Sequence, residues 1–488
     1  MRVDLVLDGH GPLYGQLARA LAEAIARGRL RPGERLPSTR ELALRLGLSR
    51  RTVNAAYERL RSSGRIRGCV GSGSFVEASP PPPRPRPAAS AALPAQSAYS
   101  RRGRQVCTLH DLPGRPIPGV RYAFQYSLPN VNPRLSSAWQ RTLAKVAPYV
   151  KPNYPPVAGL AELREAVAEH VARSRGVVCS AEDVFIVHGT QQAIALAARV
   201  LVDPGETVVL EEPHYFGARQ VLQMHGAEVV GVPVDGDGLR VDRLPAAGAK
   251  LIYLTPSHQF PTGAVLSPQR RRRLLDYAAR HGGWIVEDDY DGEFRSDASA
   301  APSLQSMDRD GRVLYVGTFT KVMFPALRLA YLIVPPALRE DVRAAKWAAD
   351  FGTGALEQSA LAHFIRSGAY DRHLRTAVRT LAERRAALRA GLARIGALEV
   401  LDAHAGMHLM AWVRGLAPAR QRELLEQARR RGLGLYTVET FYLQPPPRIG
   451  LMLGFSALPA TDIARALRLL EDALLHVRPP RTRRVAFA

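Results

Sequence analysis

The sequence predicts an α/β protein with a mainly parallel sheet, preceded by a smaller helical head that ends in a β-hairpin. Three observations predict it. Between residues 184 and 316, short apolar runs alternate with helix-like patterns, as βαβ units require. Polar, reactive residue types directly follow those runs, at the carboxyl ends of the strands, where open α/β sheets bind ligands. Ahead of them, a proline- and arginine-rich seam sets off a segment whose apolar residues repeat at helical spacing. At 488 residues the chain exceeds one compact core, so two or three domains are expected.

The seam sets the boundaries. Ser79 to Pro87 is nearly all proline and arginine, an Ala/Ser/Pro stretch follows, and then Arg101-Arg102-Gly103-Arg104. Such a composition buries no core and predicts an extended, semi-rigid linker. The chain thus divides into a head over 1–77, a linker over 78–120, a body over 121–478 and a basic tail over 479–488. With 46% hydrophobic and 23% charged residues it reads as soluble and globular. The formal net charge of +23 suits a polyanionic partner such as nucleic acid. A general preference for arginine would spread the same charge everywhere, so charge alone does not establish DNA binding. Cys69, Cys107 and Cys179 form no CxxC pair and no metal-like spacing with histidine, so reduced structural thiols and no metal are expected. No apolar signal core follows Met1, and no run approaches the roughly 18 apolar residues of a membrane helix. A cytoplasmic protein without a membrane partner is expected.

In the head, Leu13, Leu17, Leu21 and Ile25 recur every four residues and define a buried helix face, with Gly28 ending the helix. Pro37-Ser38-Thr39-Arg40-Glu41 starts a second helix, with Ser38 as its cap and Glu41 closing a capping box. This helix runs through Leu42, Ala43 and Leu46. Gly47-Leu48 turns the chain, and Ser49 caps a third helix from Arg50 to about Arg61, whose Val53, Tyr57 and Leu60 face inward. Arg50, Arg51, Thr52 and Asn54 then lie at its start, where a recognition helix meets base edges and phosphates. Arg65 to Gly68 and Val70 to Val76 read as a hairpin, with Gly71, Ser72 and Gly73 at its tip.

The segments LPSTRELA, LGLSRRTVNAAYERL and GSGSFV closely resemble the winged helix-turn-helix of GntR-type bacterial regulators. The resemblance implies that Ser38, Thr39, Arg40, Arg51 and Thr52 contact operator double-stranded DNA, together with the Gly71 to Ser74 wing. Ser49 serves equally well as a simple cap.

In the body, Val184 to Val187, Thr207 to Leu210, Leu251 to Leu254, Trp284 to Val286 and Val313 to Val316 are the strand-like runs. Lys321 follows the last of them. The chain has only five lysines, at 145, 151, 250, 321 and 346, against dozens of arginines. A lysine kept in such a background suits a role that arginine cannot fill. Schiff-base formation is one, because it needs a primary amine able to lose its proton. Thr318, Thr320 and Arg328 flank it and suit a phosphate, which points to pyridoxal 5'-phosphate (PLP) as cofactor. PLP chemistry also needs an acid for the pyridine nitrogen, a phosphate cup and an aromatic face. Asp288 is the candidate acid, with Glu287 and Asp289 as rivals. Gly189-Thr190-Gln191 joins a strand to a helix start, a natural phosphate site. Tyr215 can stack on the ring, and Tyr290 can hydrogen-bond its phenolic oxygen. After about residue 375 the pattern turns to helices and then a smaller α+β part ending near Val477.

From about Tyr154 to Phe455 these positions resemble fold-type I PLP-dependent enzymes of the aminotransferase class. Tyr154, in YPPVAG ahead of Leu163-Arg164, looks like the tyrosine that reaches a phosphate in a neighbouring subunit, which implies a homodimer. Head and body together resemble the MocR family, in which a GntR-type head is fused to an aminotransferase-like body; TPSHQFPTG and EDDYDGEFR match its patterns. Two departures from working aminotransferases stand out. Phe260 takes the place of an asparagine that would hydrogen-bond the ring oxygen. Met452 takes the place of the arginine that would clamp a substrate carboxylate, leaving Arg448 as the nearest replacement. The expected function is a PLP-dependent transcriptional regulator that senses PLP, an amine or an amino-acid effector. The alternatives are an active aminotransferase with a DNA-binding head, and a DNA-binding scaffold with an inert body.

Overall fold

The computed structural model describes residues 5–69, 72–78, 95–106, 114–129, 133–294, 302–401 and 406–477. The chain forms two compact units, Met1–Ala95 and Gln96–Ala488. In the first, helices α1 (Leu13–Ala26), α2 (Thr39–Leu46) and α3 (Arg50–Ser62) precede an antiparallel hairpin of β1 (Ile66–Cys69) and β2 (Gly73–Val76). Leu17, Leu21 and Ile25 of α1 bury against Val53, Tyr57 and Leu60 of α3. Leu13, expected on that face, is the first residue of α1 and is about half exposed. Ser38 Oγ accepts from Glu41 N at 3.2 Å, the predicted cap. Glu41 closes no capping box, since its carboxylate takes Arg45 one turn on at 2.5 Å.

The second unit opens with α4 (Ala98–Val106), β3 (Tyr122–Ala123), α5 (Pro133–Val146) and α6 (Ala161–Arg175). Then come β4 (Val184–Val187), α7 (Thr190–Leu201), β5 (Thr207–Glu212), α8 (Phe216–His225), β6 (Glu228–Asp235), β7 (Gly238–Leu239), β8 (Leu251–Leu254), α9 (Pro268–His281), β9 (Trp284–Asp289), α10 (Leu304–Met307), β10 (Val313–Thr318) and β11 (Ala330–Ile333). These strands form one eight-stranded sheet in the order β4-β11-β10-β9-β8-β5-β6-β7. The pairs from β10 through β9, β8 and β5 to β6 are parallel. β11 runs antiparallel between β10 and the edge strand β4, and β7 forms the other edge, antiparallel to β6. Side chains alternate between two cores. Val208, Leu210, Tyr253 and Val286 pack toward α7 and α8, and Val209, Ile252 and Ile285 pack toward α9.

α11 (Arg339–Asp350), α12 (Ala355–Arg366) and α13 (Ala369–Leu392) lead to a smaller sheet. Its strands β12 (Leu398–Val400), β13 (His408–Val413), β15 (Tyr436–Thr437) and β16 (Gly450–Gly454) lie in the order β12-β13-β16-β15. α14 (Gln421–Arg430), β14 (Leu433–Gly434) and α15 (Ala460–Val477) complete the unit.

Part of the predicted extended linker is helical. In α4 the Arg102 guanidinium donates to the carbonyls of Met224 and His225, at 2.9 and 3.0 Å, and so caps the C-terminal end of α8. A Cβ at Gly103 would lie 3.1 Å from the Met224 side chain, so the glycine permits the close approach. Composition predicted an extended, semi-rigid linker here, whereas one guanidinium on the open carbonyls of α8 docks the stretch as a helix. Among the described residues no helix is long and apolar enough to cross a membrane.

Candidate functional site

Lys321, Asp288, Thr190, Gln191, Tyr215, Tyr290, Thr318, Thr320 and Arg328 come together around one cavity at the carboxyl ends of the parallel strands. The strands deliver them as the alternation of a sheet requires. β9 carries three consecutive carboxylates, all buried, and period two sends them apart. Glu287 accepts from the backbone N–H groups of Leu304 and Gln305, at 3.0 and 2.9 Å. Asp289 pairs with Arg175 Nε at 2.5 Å and accepts from the Tyr315 hydroxyl at 2.6 Å. Of the three rivals, Asp288 alone lines the cavity.

The Asp288 side chain is held on one side only. Its Oδ2 accepts from the Tyr253 hydroxyl at 2.6 Å, and its Oδ1 is buried without a partner. Burial pushes its carboxyl up to about 7 against the opposing pull of the Tyr253 hydrogen bond. Opposite stands Lys321, whose Nζ donates to the Ser127 carbonyl at 3.3 Å. Desolvation brings its ammonium down to about 8, resisted by Asp291 and Asp288. The cavity thus combines a primary amine close to its neutral form with a carboxylate lacking half its partners.

A third corner suits an anion. Gly189 precedes α7 at φ 79° and ψ 170°, a region open essentially to glycine. A Cβ there would lie 2.7 Å from an Arg328 guanidinium nitrogen, so the missing side chain makes room for that group. Arg328 itself adopts φ 53° and donates to the His188 carbonyl at 3.0 Å. α7 begins at the same cavity, which Thr190 and Gln191 of its first turn line. Thr318 Oγ1 accepts from Thr320 N at 3.2 Å. Tyr215, just ahead of α8, has its hydroxyl fixed by Gln191 Nε2 at 3.1 Å.

Two predicted residues stand apart. Tyr154 is 80% exposed, does not line the cavity, and packs edge-on against Phe351 with ring centroids 5.2 Å apart. Arg448 does not line the cavity either. Its guanidinium is 3.0 Å from Glu399 Oε2 and lies 4.9 Å over the Trp412 ring, so both its charge and its flat face are taken. Met452 is buried with Phe260, Phe441 and Tyr126 in an aromatic cluster. Arg328 is the one guanidinium among the cavity-lining residues.

Sequence reasoning missed Ser127, Tyr253, Thr255, Met407 and His408, all of which line the cavity. It also missed Glu211, buried below the loop that carries Phe260. Glu211 accepts from Thr255 N and Oγ1 at 3.0 and 2.8 Å, and Thr255 Oγ1 accepts from Phe260 N at 2.9 Å. Burial pushes the Glu211 carboxyl up to about 7. Tyr253 carried a detectable signal, because it shares a face with Val286 and Asp288 on the neighbouring strand.

In the head, Ser49 Oγ accepts from Thr52 N at 3.0 Å and so caps α3, and it lies 2.8 Å from Thr52 Oγ1. The Tyr57 hydroxyl donates to the Pro37 carbonyl at 2.9 Å and fixes α3 against the entry to α2. Arg40, Arg50, Arg51 and Asn54 are exposed, Thr39 is half-buried, and Ser38 is exposed at its cap. Ser72 and Gly73 are exposed at the hairpin; Gly71 lies outside the described residues.

Comparison with known proteins accounts for both units. Residues 13–76 match the bacterial regulatory proteins of the gntR family, and residues 126–451 match aminotransferase class I and II. The probable rhizopine catabolism regulatory protein MocR of Rhizobium meliloti is 35% identical over 478 residues, covering 96% of this chain and 96% of that protein. The HTH-type transcriptional regulator TauR of Rhodobacter capsulatus is 36% identical over 75% of this chain and 77% of its own length. Among solved structures, the α-aminoadipate aminotransferase LysN of Thermus thermophilus, complexed with N-(5'-phosphopyridoxyl)-L-leucine, is 27% identical. It covers 78% of this chain and 95% of that one with a TM-score of 0.67. The chain therefore belongs to the MocR-type transcriptional regulators, which join a gntR-family head to an aminotransferase class I and II body.

Proposed function

We propose that this protein is a cytoplasmic, PLP-responsive transcriptional regulator that binds operator DNA through its head and holds PLP at Lys321. The observation that carries this reading is one cavity that brings together a desolvated amine, a carboxylate with an unpartnered oxygen and a glycine-backed arginine. When bound, PLP supplies an aldehyde that primary amines capture as Schiff bases, and a ring that draws electrons from them. Lys321 would provide the amine, its lowered pKa leaving part of it deprotonated near neutrality. Asp288 Oδ1 would meet the ring nitrogen while Tyr253 holds Oδ2. Arg328, Thr318, Thr320 and the start of α7 at Thr190 and Gln191 would hold the phosphate. Tyr215 would cover a ring face, and Tyr290 would donate to the ring oxygen.

An amine or amino acid that competes with Lys321 would be the effector. It shifts DNA affinity only by favouring one body conformation over another. A homodimer is part of this reading, with the exposed Tyr154 serving a phosphate in the neighbouring copy. Footprinting of the purified protein on the DNA upstream of its own gene, with and without PLP, tests the proposal. A footprint altered by PLP makes the cofactor itself the signal. An unaltered footprint with PLP bound makes PLP a fixed part and directs the search to amines. No footprint in either condition overturns the DNA-binding reading.

Gly189→Ala is expected to weaken PLP binding about tenfold, because alanine at this backbone conformation costs on the order of 1–3 kcal/mol and its methyl displaces Arg328. Fluorescence titration with PLP measures this, and an unchanged Kd would remove Gly189 from the phosphate cup. A second reading, an active aminotransferase, draws on the same Lys321, Asp288 and Arg328. Sustained turnover of an amino donor with a keto acid would favour it over regulation alone.

A further inference from the structure

Phe260 offers the cavity no hydrogen bond, yet the wall on the Tyr290 side is strongly polar. His258 and Asp291 stand behind Tyr290, each with a side chain 1% exposed. His258 Nδ1 lies 2.8 Å from Asp291 Oδ2 and 2.9 Å from the Tyr290 hydroxyl. The other ring nitrogen, Nε2, is buried without a partner. An orphaned lone pair is cheaper to bury than an orphaned N–H, so the ring carries its hydrogen on Nδ1 and donates it to Asp291. The Asp291 carboxylate also faces the Tyr290 hydroxyl, and Tyr290 lines the cavity. Gly406, at φ +83°, closes the far side. A Cβ built there would overlap His258 Cε1 and lie 2.8 Å from Asp291 Oδ2, so the pair has little room to turn away.

We propose that His258 and Asp291 are positioning residues for Tyr290, holding its phenol at the cavity wall so that its hydrogen can turn between Asp291 and an anionic oxygen of the bound cofactor. With the hydrogen on Asp291, the phenol presents only a lone pair to the cavity. With the hydrogen turned inward, the His258 Nδ1–H keeps Asp291 satisfied. The phenol keeps its proton throughout, and no covalent bond forms or breaks. The arrangement supplies, from the tyrosine side, the hydrogen bond that Phe260 does not. The inference rests on the PLP reading of the cavity.

The charged and titratable surroundings are defined. Tyr290 is faced by His258 and Asp291, with Asp288 and Glu211 beyond them. Lys321 is faced by Asp291, Asp288 and Arg328. The His408 ring lies 5.6 Å from the His258 ring.

The test is the pH midpoint of the visible absorption band in the full chain reconstituted with PLP. Donation to the anionic ring oxygen favours the deprotonated chromophore, so its loss raises the midpoint. His258→Gln places its amide near the Nε2 position and leaves Asp291 to claim the phenol hydrogen. It is expected to raise the midpoint by about 1 pH unit, or tenfold. His258→Asn restores an N–H at the Nδ1 position and is expected to keep the wild-type midpoint. Tyr290→Phe should shift it as far as His258→Gln, and the double variant should add nothing. Asp291→Asn removes a carboxylate facing Lys321 and also the group that draws the phenol hydrogen from the cavity, so it should lower the midpoint more when Tyr290 is present than in Tyr290→Phe; an equal lowering in both backgrounds would overturn the assignment even where His258→Gln fails to fold. An unmoved midpoint in His258→Gln or Asp291→Asn, additive shifts in the double variant, or an Asn variant that behaves like Gln would each overturn the assignment. A wild-type protein with no visible band would instead overturn the cofactor reading, and this inference with it.

Discussion

Lys321→Ala is expected to abolish covalent capture of PLP completely, while the protein folds as before. The wild-type chain should show a visible absorption band on adding PLP and retain the cofactor after borohydride reduction; the variant should show neither. The expectation of an intact fold has a physical basis. Lys321 is half-buried, its one described hydrogen bond is to the Ser127 carbonyl at 3.3 Å, and its charge is already penalised by desolvation. Removing it takes away an unfavourable group rather than a supporting one. Lys321→Arg should fail equally, because a guanidinium stays protonated and does not form the imine. Circular dichroism checks the fold, and a visible spectrum unchanged in Lys321→Ala would sink the assignment.

Arg51→Ala is expected to reduce operator affinity by roughly 10- to 100-fold, the 1–3 kcal/mol attached to a base-edge contact. Arg51 is exposed at the start of α3. The cap at Ser49 and the packing of Val53, Tyr57 and Leu60 do not depend on it. Arg40→Ala, at the start of α2, should weaken binding more evenly across sequences and flatten the salt dependence by about one phosphate contact. Fluorescence anisotropy over a salt series, on operator and unrelated DNA, separates the two effects. Both variants should bind PLP as the wild type does. Undiminished operator affinity in both at moderate salt would overturn the head assignment.

Much of the site was legible because it sits where a parallel sheet puts reactive groups. Lys321 and Asp288 come soon after apolar runs, and Gly189 to Gln191 join a strand to a helix, so local patterning located them. Patterning could not decide between Glu287, Asp288 and Asp289, since that depends on which face meets the cavity. Arg448 misled for a related reason. Its nearness in sequence to Met452 carried no information about Glu399 and Trp412, which hold its side chain. The helix Ala98–Val106 was read as extended because its stabilising contacts lie more than a hundred residues away, at the end of α8.

The sequence by itself determined the two-part organisation, the helix caps of the head, the parallel strand runs, the candidate amine and a run of three candidate acids. Each of these depends on neighbours a few residues apart, where backbone geometry fixes the spacing of side chains. Only the tertiary structure decided which carboxylate faces the cavity, which tyrosine steadies it, and that His258, Tyr290 and Asp291 share one buried cluster. Those relations join separate strands and loops, and their chemistry comes from burial and close approach. Desolvation holds Lys321 near 8 and Asp288 near 7, and it acts only once the folded chain has removed water from around both.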